Sequence, residues 1–292
     1  MIRTEIITAV RDEEETILVF LEAIAALALP DDIELKVIFV EDSSTDGTKA
    51  LLRKLASEDP SVGYYSLVEG FGQCPAIMFG LAQSPANAMI MMDVDGSHPI
   101  EIIPEMISEF LDGAKVVQCV RKTLSNRRLH RRIGTALYQA VARAIIGIDT
   151  REQAIYYRLV SREIVQGLKQ EPRYWHYLRF PLPRHPDGAL RKIYVDMEER
   201  VFGESTYTIG RLVKLAIDGT LSQISKQRFA VLLGMEAGVS ILLAFGRIWS
   251  LSAIVLVALL LTARHYQSLG RGDLLERMHV SESGNVSNVS GS

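Results

Sequence analysis

Four short apolar runs, each cut off by acidic or glycine-bearing residues and followed by a helical stretch, restrict this chain to a narrow set of folds. Glu5 to Val10 reads as a first strand and "LKVIFV", Leu35 to Val40, as a second; Tyr64 to Val68 reads as a third and Met89 to Met92 as a fourth. Helical spacing is expected through Leu51 and Leu55, again up to Gln83, and from Pro99 toward Leu111, with one more strand at Val116 to Val120. The D-x-x-E spacing of Asp12-Glu13-Glu14-Glu15 predicts a capping box that opens the first helix. Strand and helix alternating with short connections predict an α/β fold, a mostly parallel sheet with helices on both faces. No internal repeat is visible.

At 292 residues and 48% hydrophobic content, the chain has length for one main domain and an appendage. A formal net charge of −3 offers no overall basic field for nucleic acid, so any attraction to anions is local. Cys74 and Cys119 match neither a disulfide framework nor a zinc spacing, which suits a reducing compartment. Arg3 and Glu5 interrupt the first apolar run and no signal-peptide core is seen, so the catalytic part is expected to be cytoplasmic.

Acids stand at the strand ends: Asp12 and Glu13 after the first, Glu41 and Asp42 after the second, Asp93 and Asp95 after the fourth. In a parallel sheet those ends share one edge, where ligands bind. Three acidic ends there repel one another unless they hydrogen-bond a polar ligand or hold a cation. Any one of them reads well as a helix N-cap or turn residue, as Asp12, Asp46 and Asp93 do; together they favour a ligand site. Residues two apart in an extended segment point to the same side, so Asp93 and Asp95 can address one ligand.

These residues carry a resemblance. "ITAVRDEEETI", "FVEDSSTDGT", "EGFGQCPAIMFGL" and "MMDVDGSHPIEIIPEM" look like the four successive motifs of a GT-A glycosyltransferase of family 2. The later "RVFGESTYTIGRLVKLAIDG" is similar to a segment of the dolichyl- and polyprenyl-phosphate sugar transferase branch, typified by dolichol-phosphate mannosyltransferases. The resemblance implies a GT-A, Rossmann-like fold over residues 1–226 and an inverting transfer of a hexose from a UDP- or GDP-sugar to polyprenyl phosphate, with Mg²⁺ or Mn²⁺. It assigns Ala9, Arg11, Asp12, Glu13, Glu41, Asp42, Gln73, Asp93, Val94 and Asp95 to the donor, and Asp93 and Asp95 to the metal, Asp95 more directly. Arg121, Arg131 and Thr135 would grip the acceptor phosphate, with Glu204 and Ser205 nearby; Asp93, Asp95, Arg121 and Arg131 form the catalytic set. Departures from the family pattern are Ala9 and Arg11 for a proline and a tyrosine, Glu41 for the first of two aspartates, Ser97 for a glutamine, and Tyr156, in "AIYYRLVSREIV", for a frequent aspartate. They leave two rivals open: a family 2 enzyme acting on a saccharide or another lipid, and a decayed, non-catalytic membrane protein on the same fold.

Arg121, Lys122, Arg127, Arg128, Arg131 and Arg132 form the densest basic cluster, read as a solvated loop, a patch against acidic headgroups, or the grip on an anionic acceptor. His98, beside Pro99 at a helix start, reads as structural more than catalytic. Phe229 to Gly246 and Ile248 to Ala263 are apolar runs at the short limit for crossing a bilayer. Basic residues on both outer flanks predict a hairpin, transmembrane or interfacial, at 227–268 with both ends cytoplasmic. Residues 269–292 are expected to form a disordered cytoplasmic tail. The expected partners are thus a nucleotide-sugar, a polyprenyl phosphate and the membrane, with a second copy of the chain left open and no nucleic acid.

Overall fold

The computed structural model describes residues 1–122, 154–169, 189–196 and 278–286. The expected membrane hairpin lies outside them, and among the described residues no helix is long and apolar enough to cross a membrane.

Eight strands form one sheet: β1 Ile2–Val10, β2 Ile33–Glu41, β3 Val62–Leu67, β4 Ala88–Met91, β5 Val116–Arg121, β6 Ala154–Ser161, β7 Leu190–Val195 and β8 Val280–Gly284. Their order is β7-β5-β6-β4-β1-β2-β3-β8. The β1–β2, β1–β4, β2–β3 and β5–β7 pairs are parallel, while β6 runs antiparallel to β4 and β5, and β8 antiparallel to β3. The helices are α1 Ile17–Ala25, α2 Thr48–Glu58, α3 Gln73–Gln83, α4 Ile103–Leu111 behind a 3₁₀ turn at Ile100–Ile102, and α5 Arg162–Lys169. The expected alternation is present through β5.

A sheet covered on both faces needs strands apolar on both, and β1 supplies them. Ile6 joins Phe20 of α1, Leu52 of α2 and Met106 of α4 in one core; its neighbour Ile7 joins Ile77 of α3 and Val165 of α5 in the other. Gly80 lets α3 lie close: a Cβ there would stand 2.6 Å from Ile7 Cγ2 and 2.9 Å from Val40 Cγ2, both on buried, branched side chains with no room to yield. This seats the start of α3 at the ligand edge.

Two expectations need correction, and one strand has no counterpart among the expected elements. The first helix starts at Ile17, not at Asp12, and Thr16 at its cap makes no side-chain cap bond. The acids before it bond to the loop after β2 instead. Next, "AIYYRLVS" is a strand, β6, inserted between β4 and β5; a buried arginine in its middle, Arg158, hid it from a reading based on apolar runs. Finally, part of the expected disordered tail is the edge strand β8. Backbone pairing asks for no apolar side chains, and polar anchors hold β8: Arg53 grips Glu282 with Nε–Oε1 and Nη2–Oε2 both at 2.5 Å, and Tyr64 Oη donates to the same carboxylate at 2.5 Å. Gly284 permits close approach, since a Cβ there would meet Tyr64 Cε1 at 2.6 Å.

The Arg53 fork, and after it the Tyr64 hydroxyl, hold the Glu282 carboxyl down at about 2. A carboxyl depressed by folding contributes stability that is complete above its ordinary value of 4.5 and is lost as the pH falls through about 2. Hydrogen exchange should therefore show protection of the β3 and β8 amides falling between those values. The pair is partly exposed, so the change should be a few-fold. In Glu282→Gln the same protection should be lower at neutral pH and lack this acid step.

Candidate active site

The carboxyl ends of β1, β2, β3 and β4 meet at one edge, and the loops leaving them are tied to one another. After β1, Asp12 takes a left-handed backbone, φ 55°, which aspartate tolerates better than most residues. Its Oδ1 accepts from Thr45 N at 2.6 Å and Thr45 Oγ1 at 3.1 Å, and its own N–H donates to Ser44 Oγ at 3.1 Å. Glu13 N donates to Thr48 Oγ1 at 2.9 Å while its carboxylate accepts from Thr16 Oγ1 at 2.8 Å; Glu14 Oε2 accepts from Gly47 N at 2.7 Å. Donors of the second loop thus balance the acids of the first.

Glu41 and Asp42, at the end of β2, are both buried. Glu41 accepts from Ser44 N and from Ser66 Oγ on β3. Asp42 accepts Phe71 N on Oδ1 and Gly72 N on Oδ2, each at 2.7 Å. It therefore folds the glycine-bearing loop, where Gly72 sits at φ 92° immediately before α3. Arg11 lies across the same loop: a Cβ on Gly70 would stand 2.7 Å from its Nη1.

Asp93 and Asp95 follow β4. Asp95 is nearly buried and accepts Ser97 N on Oδ1 at 3.0 Å. Asp93 Oδ1 accepts from Gln73 Nε2, the first residue of α3, at 2.5 Å, and from the Tyr156 hydroxyl. The Met91–Arg158 pairing of β4 with β6, continued two residues, sets Tyr156 opposite Asp93. Burial, and after it the charge and hydrogen bond of Asp93, push the Tyr156 phenol well above its ordinary value, so it remains a donor. His98 Nδ1 accepts Asp93 N at 2.9 Å, which puts the imidazole proton on Nε2. That ring is stacked on Tyr157 at 4.8 Å and meets Tyr156 edge-on at 5.3 Å, a bracing role in keeping with the structural reading of His98.

Among the described site residues, Arg11, Asp12, Glu13, Glu41, Asp42, Gln73, Asp93, Val94 and Asp95 fall in the loops of this edge or beside them. Ala9 packs near the end of β1, and Val94 is buried. β4 and β5 both run antiparallel to β6, so Arg121, at the end of β5, reaches the same edge. Arg131, Thr135, Glu204 and Ser205 lie outside the described residues. Tyr156, noticed in the sequence only as a departure, belongs to the cluster. No local pattern marks its role; the β4–β6 register brings it to Asp93.

Among the described residues no three His, Cys, Asp or Glu side chains gather into a metal site. The end of β4 instead offers two carboxylates, hard oxygen ligands that suit Mg²⁺ or Mn²⁺ with further positions filled by phosphate and water. These residues fit a cation whose shell a ligand completes.

Asp42→Ala should leave the Phe71 and Gly72 N–H groups without their acceptor. Both lie at a partly exposed loop, so water can replace part of the loss, and the expected cost is about 1–2 kcal/mol. Thermal melting measures the cost, and hydrogen exchange at residues 69–73 should rise more than at β1.

The family profile described as "Glycosyl transferase family 2" matches residues 5–190. The chain is 30% identical over 221 residues to "Bactoprenol glucosyl transferase" of Shigella phage SfV, covering 75% of this chain and 71% of that one. It is 29% identical over 287 residues to "Undecaprenyl-phosphate 4-deoxy-4-formamido-L-arabinose transferase" of Pseudomonas fluorescens (strain SBW25), covering 93% and 83%. Among solved structures, glucosyl-3-phosphoglycerate synthase from Mycobacterium tuberculosis, in complex with Mn²⁺, UDP-glucose and phosphoglyceric acid, superposes with a TM-score of 0.53. It shares 16% identity over 76% of this chain and 79% of that one, which shows a common GT-A-like fold. The order of acidic strand ends, their convergence on one edge and the matched span all agree: the chain belongs to glycosyl transferase family 2.

Proposed function

We propose that this protein transfers a hexose from a nucleotide-sugar to a polyprenyl phosphate, with inversion at the anomeric carbon. What carries the reading is the pair Asp93 and Asp95 at the β4 end of the ligand edge, in a chain similar to polyprenyl-phosphate sugar transferases over most of its length. A phosphate oxygen of the lipid attacks the anomeric carbon on the face opposite the leaving group. One C–O bond forms, the bond to the nucleoside diphosphate breaks, and the configuration inverts. The acceptor is already an anion at neutral pH, so no strong general base is needed. This accords with a site where His98 is occupied in bracing Asp93.

Asp95 and Asp93 would hold Mg²⁺ or Mn²⁺, which when bound stabilises the diphosphate's departing charge as a Lewis acid. The loops carrying Asp12, Glu13, Glu41 and Asp42 shape the donor side; because Glu41 and Asp42 are engaged within those loops, their part is to build the pocket wall. Arg11 and Gln73 line the opening over the glycine loop. On the family resemblance, Arg121, Arg131 and Thr135 are assigned to the acceptor phosphate, and Glu204 and Ser205 to the acceptor as well. UDP- and GDP-sugars are both donors to test; because relatives are named for glucose and for an arabinose derivative, UDP-glucose is the first to try. The hairpin at 227–268 attaches the protein to the membrane, with the site on the cytoplasmic side.

Asp95→Asn should abolish transfer while leaving the ligand-free melting temperature near that of wild type, because the acid serves a ligand more than the core. Arg131→Ala should weaken use of the lipid by roughly ten- to hundredfold through loss of a charge-assisted hydrogen bond, and leave nucleotide affinity unchanged. Arg131→Lys, which lacks the planar fork, should recover only part. Kinetics with each substrate varied, beside calorimetric titration of UDP and GDP with Mn²⁺, measure these effects; unchanged lipid dependence would remove Arg131 from the grip. For membrane attachment, Leu256→Arg with Leu260→Arg should move the protein from the membrane fraction to the supernatant without loss of nucleotide binding. Truncation at Phe229 is the poorer test, since it also removes β8.

A further inference from the structure

We propose that Tyr156 is a positioning residue for the transfer reaction, fixing the orientation of the Asp93 carboxylate together with Gln73 of α3; the proposal rests on the transferase reading above. Asp93 Oδ1 receives two donors, the Tyr156 hydroxyl and Gln73 Nε2, and Gln73 Nε2 also lies 3.3 Å from the Tyr156 oxygen. An sp² carboxylate oxygen has two lone pairs, so these two donors fill it. A cation held by Asp93 would depend on the way these two donors turn its carboxylate.

The clamp is held from behind. The Tyr156 ring meets His98 edge-on at 5.3 Å with an interplanar angle of 75°, and His98 is fixed by the Asp93 N–H on Nδ1 and by stacking on Tyr157 at 17°. Tyr157 in turn donates to the Pro99 carbonyl at 2.9 Å. The strand that delivers the tyrosine and the turn that delivers the aspartate are therefore locked to each other as one body.

The chemistry explains a tyrosine here. A neutral hydroxyl stabilises the charged carboxylate without adding charge. An aspartate at 156, facing Asp93 across the β4–β6 register, would set two like charges beside each other. Gln73 and Tyr156 form a matched neutral pair, and the departure at 156 is an alternative way of holding Asp93, not a sign of a decayed site.

The test uses the full-length protein with Tyr156→Phe, which keeps the ring and removes the hydroxyl. Three readouts are needed: melting temperature, Mn²⁺ affinity in the presence of UDP and of GDP by electron paramagnetic resonance, and transfer kinetics. Positioning predicts an unchanged melting temperature, weaker Mn²⁺ binding with nucleotide, and kcat lower by roughly ten- to hundredfold. The lipid KM should not change. Gln73→Met should act in the same direction, and the double variant should lose less than the two single losses combined, because both donors serve one oxygen. Tyr156→Asp should also fall below wild type. If Tyr156→Phe matches wild type in Mn²⁺ affinity and kcat, or Tyr156→Asp equals or exceeds wild type, the positioning role is overturned. If Tyr156→Phe melts early, Gln73→Met at the helix start carries the comparison alone, with the same criteria. Wild-type protein that binds neither nucleotide with Mn²⁺ and transfers no sugar would overturn the transferase reading itself, an outcome distinct from a tyrosine without effect.

Discussion

Parallel strands deliver their carboxyl ends to a common edge, and a sheet covered by helices on both faces leaves that edge as the place where polar groups can gather. Everything chemical in this protein follows from that geometry. β1, β2, β3 and β4 are too apolar to carry function along their length, so acids, glycines and amides collect in the turns that leave them. Covering both faces fixes where the helices begin, and the close approach of α3 at Gly80 places Gln73 next to Asp93. Core packing and site geometry are one constraint seen at two places.

The acids on that edge are met by hydrogen-bond donors close by. Asp12, Glu14, Glu41 and Asp42 accept backbone N–H groups, a local and permanent form of charge compensation. Asp93 is held by two neutral side chains, and Asp95 accepts the backbone N–H of Ser97 within its own turn. Asp93 and Asp95 differ from the others in standing two residues apart in the turn after β4. Treating all six as uncompensated charges would overstate how negative this edge is.

Much of this was legible in the sequence. Strands that are apolar on both faces announce themselves as runs, and β1 to β5 were found that way, each within a few residues of its observed bounds. The edge acids followed, because strand ends in a parallel sheet are positions that can be counted. What escaped reading was decided by partners distant in sequence. The acids 12–15 resemble a helix cap because cap and loop use the same residue types; the loop 33 residues away takes the Asp12 and Glu14 carboxylates instead. β6 needed a buried Arg158 to be accepted in mid-strand. The role of Tyr156 depended on a register, Met91 against Arg158, that no local pattern encodes.

The final strand has a consequence of another kind. All six residues of β3 are buried, and β8 pairs along that strand's outer side. Drawing β8 away, for instance by tension on the chain beyond Gly284, would uncover a row of unpaired N–H and C=O groups beside two tyrosines and a leucine. Such an edge is a template for another chain to add to. The short polar segment at the end of the sheet thus covers the edge along which β3 could otherwise pair with another strand. Its polarity suits that role, because a sheet that must stop growing is best ended with a strand that has little apolar surface to offer a neighbour.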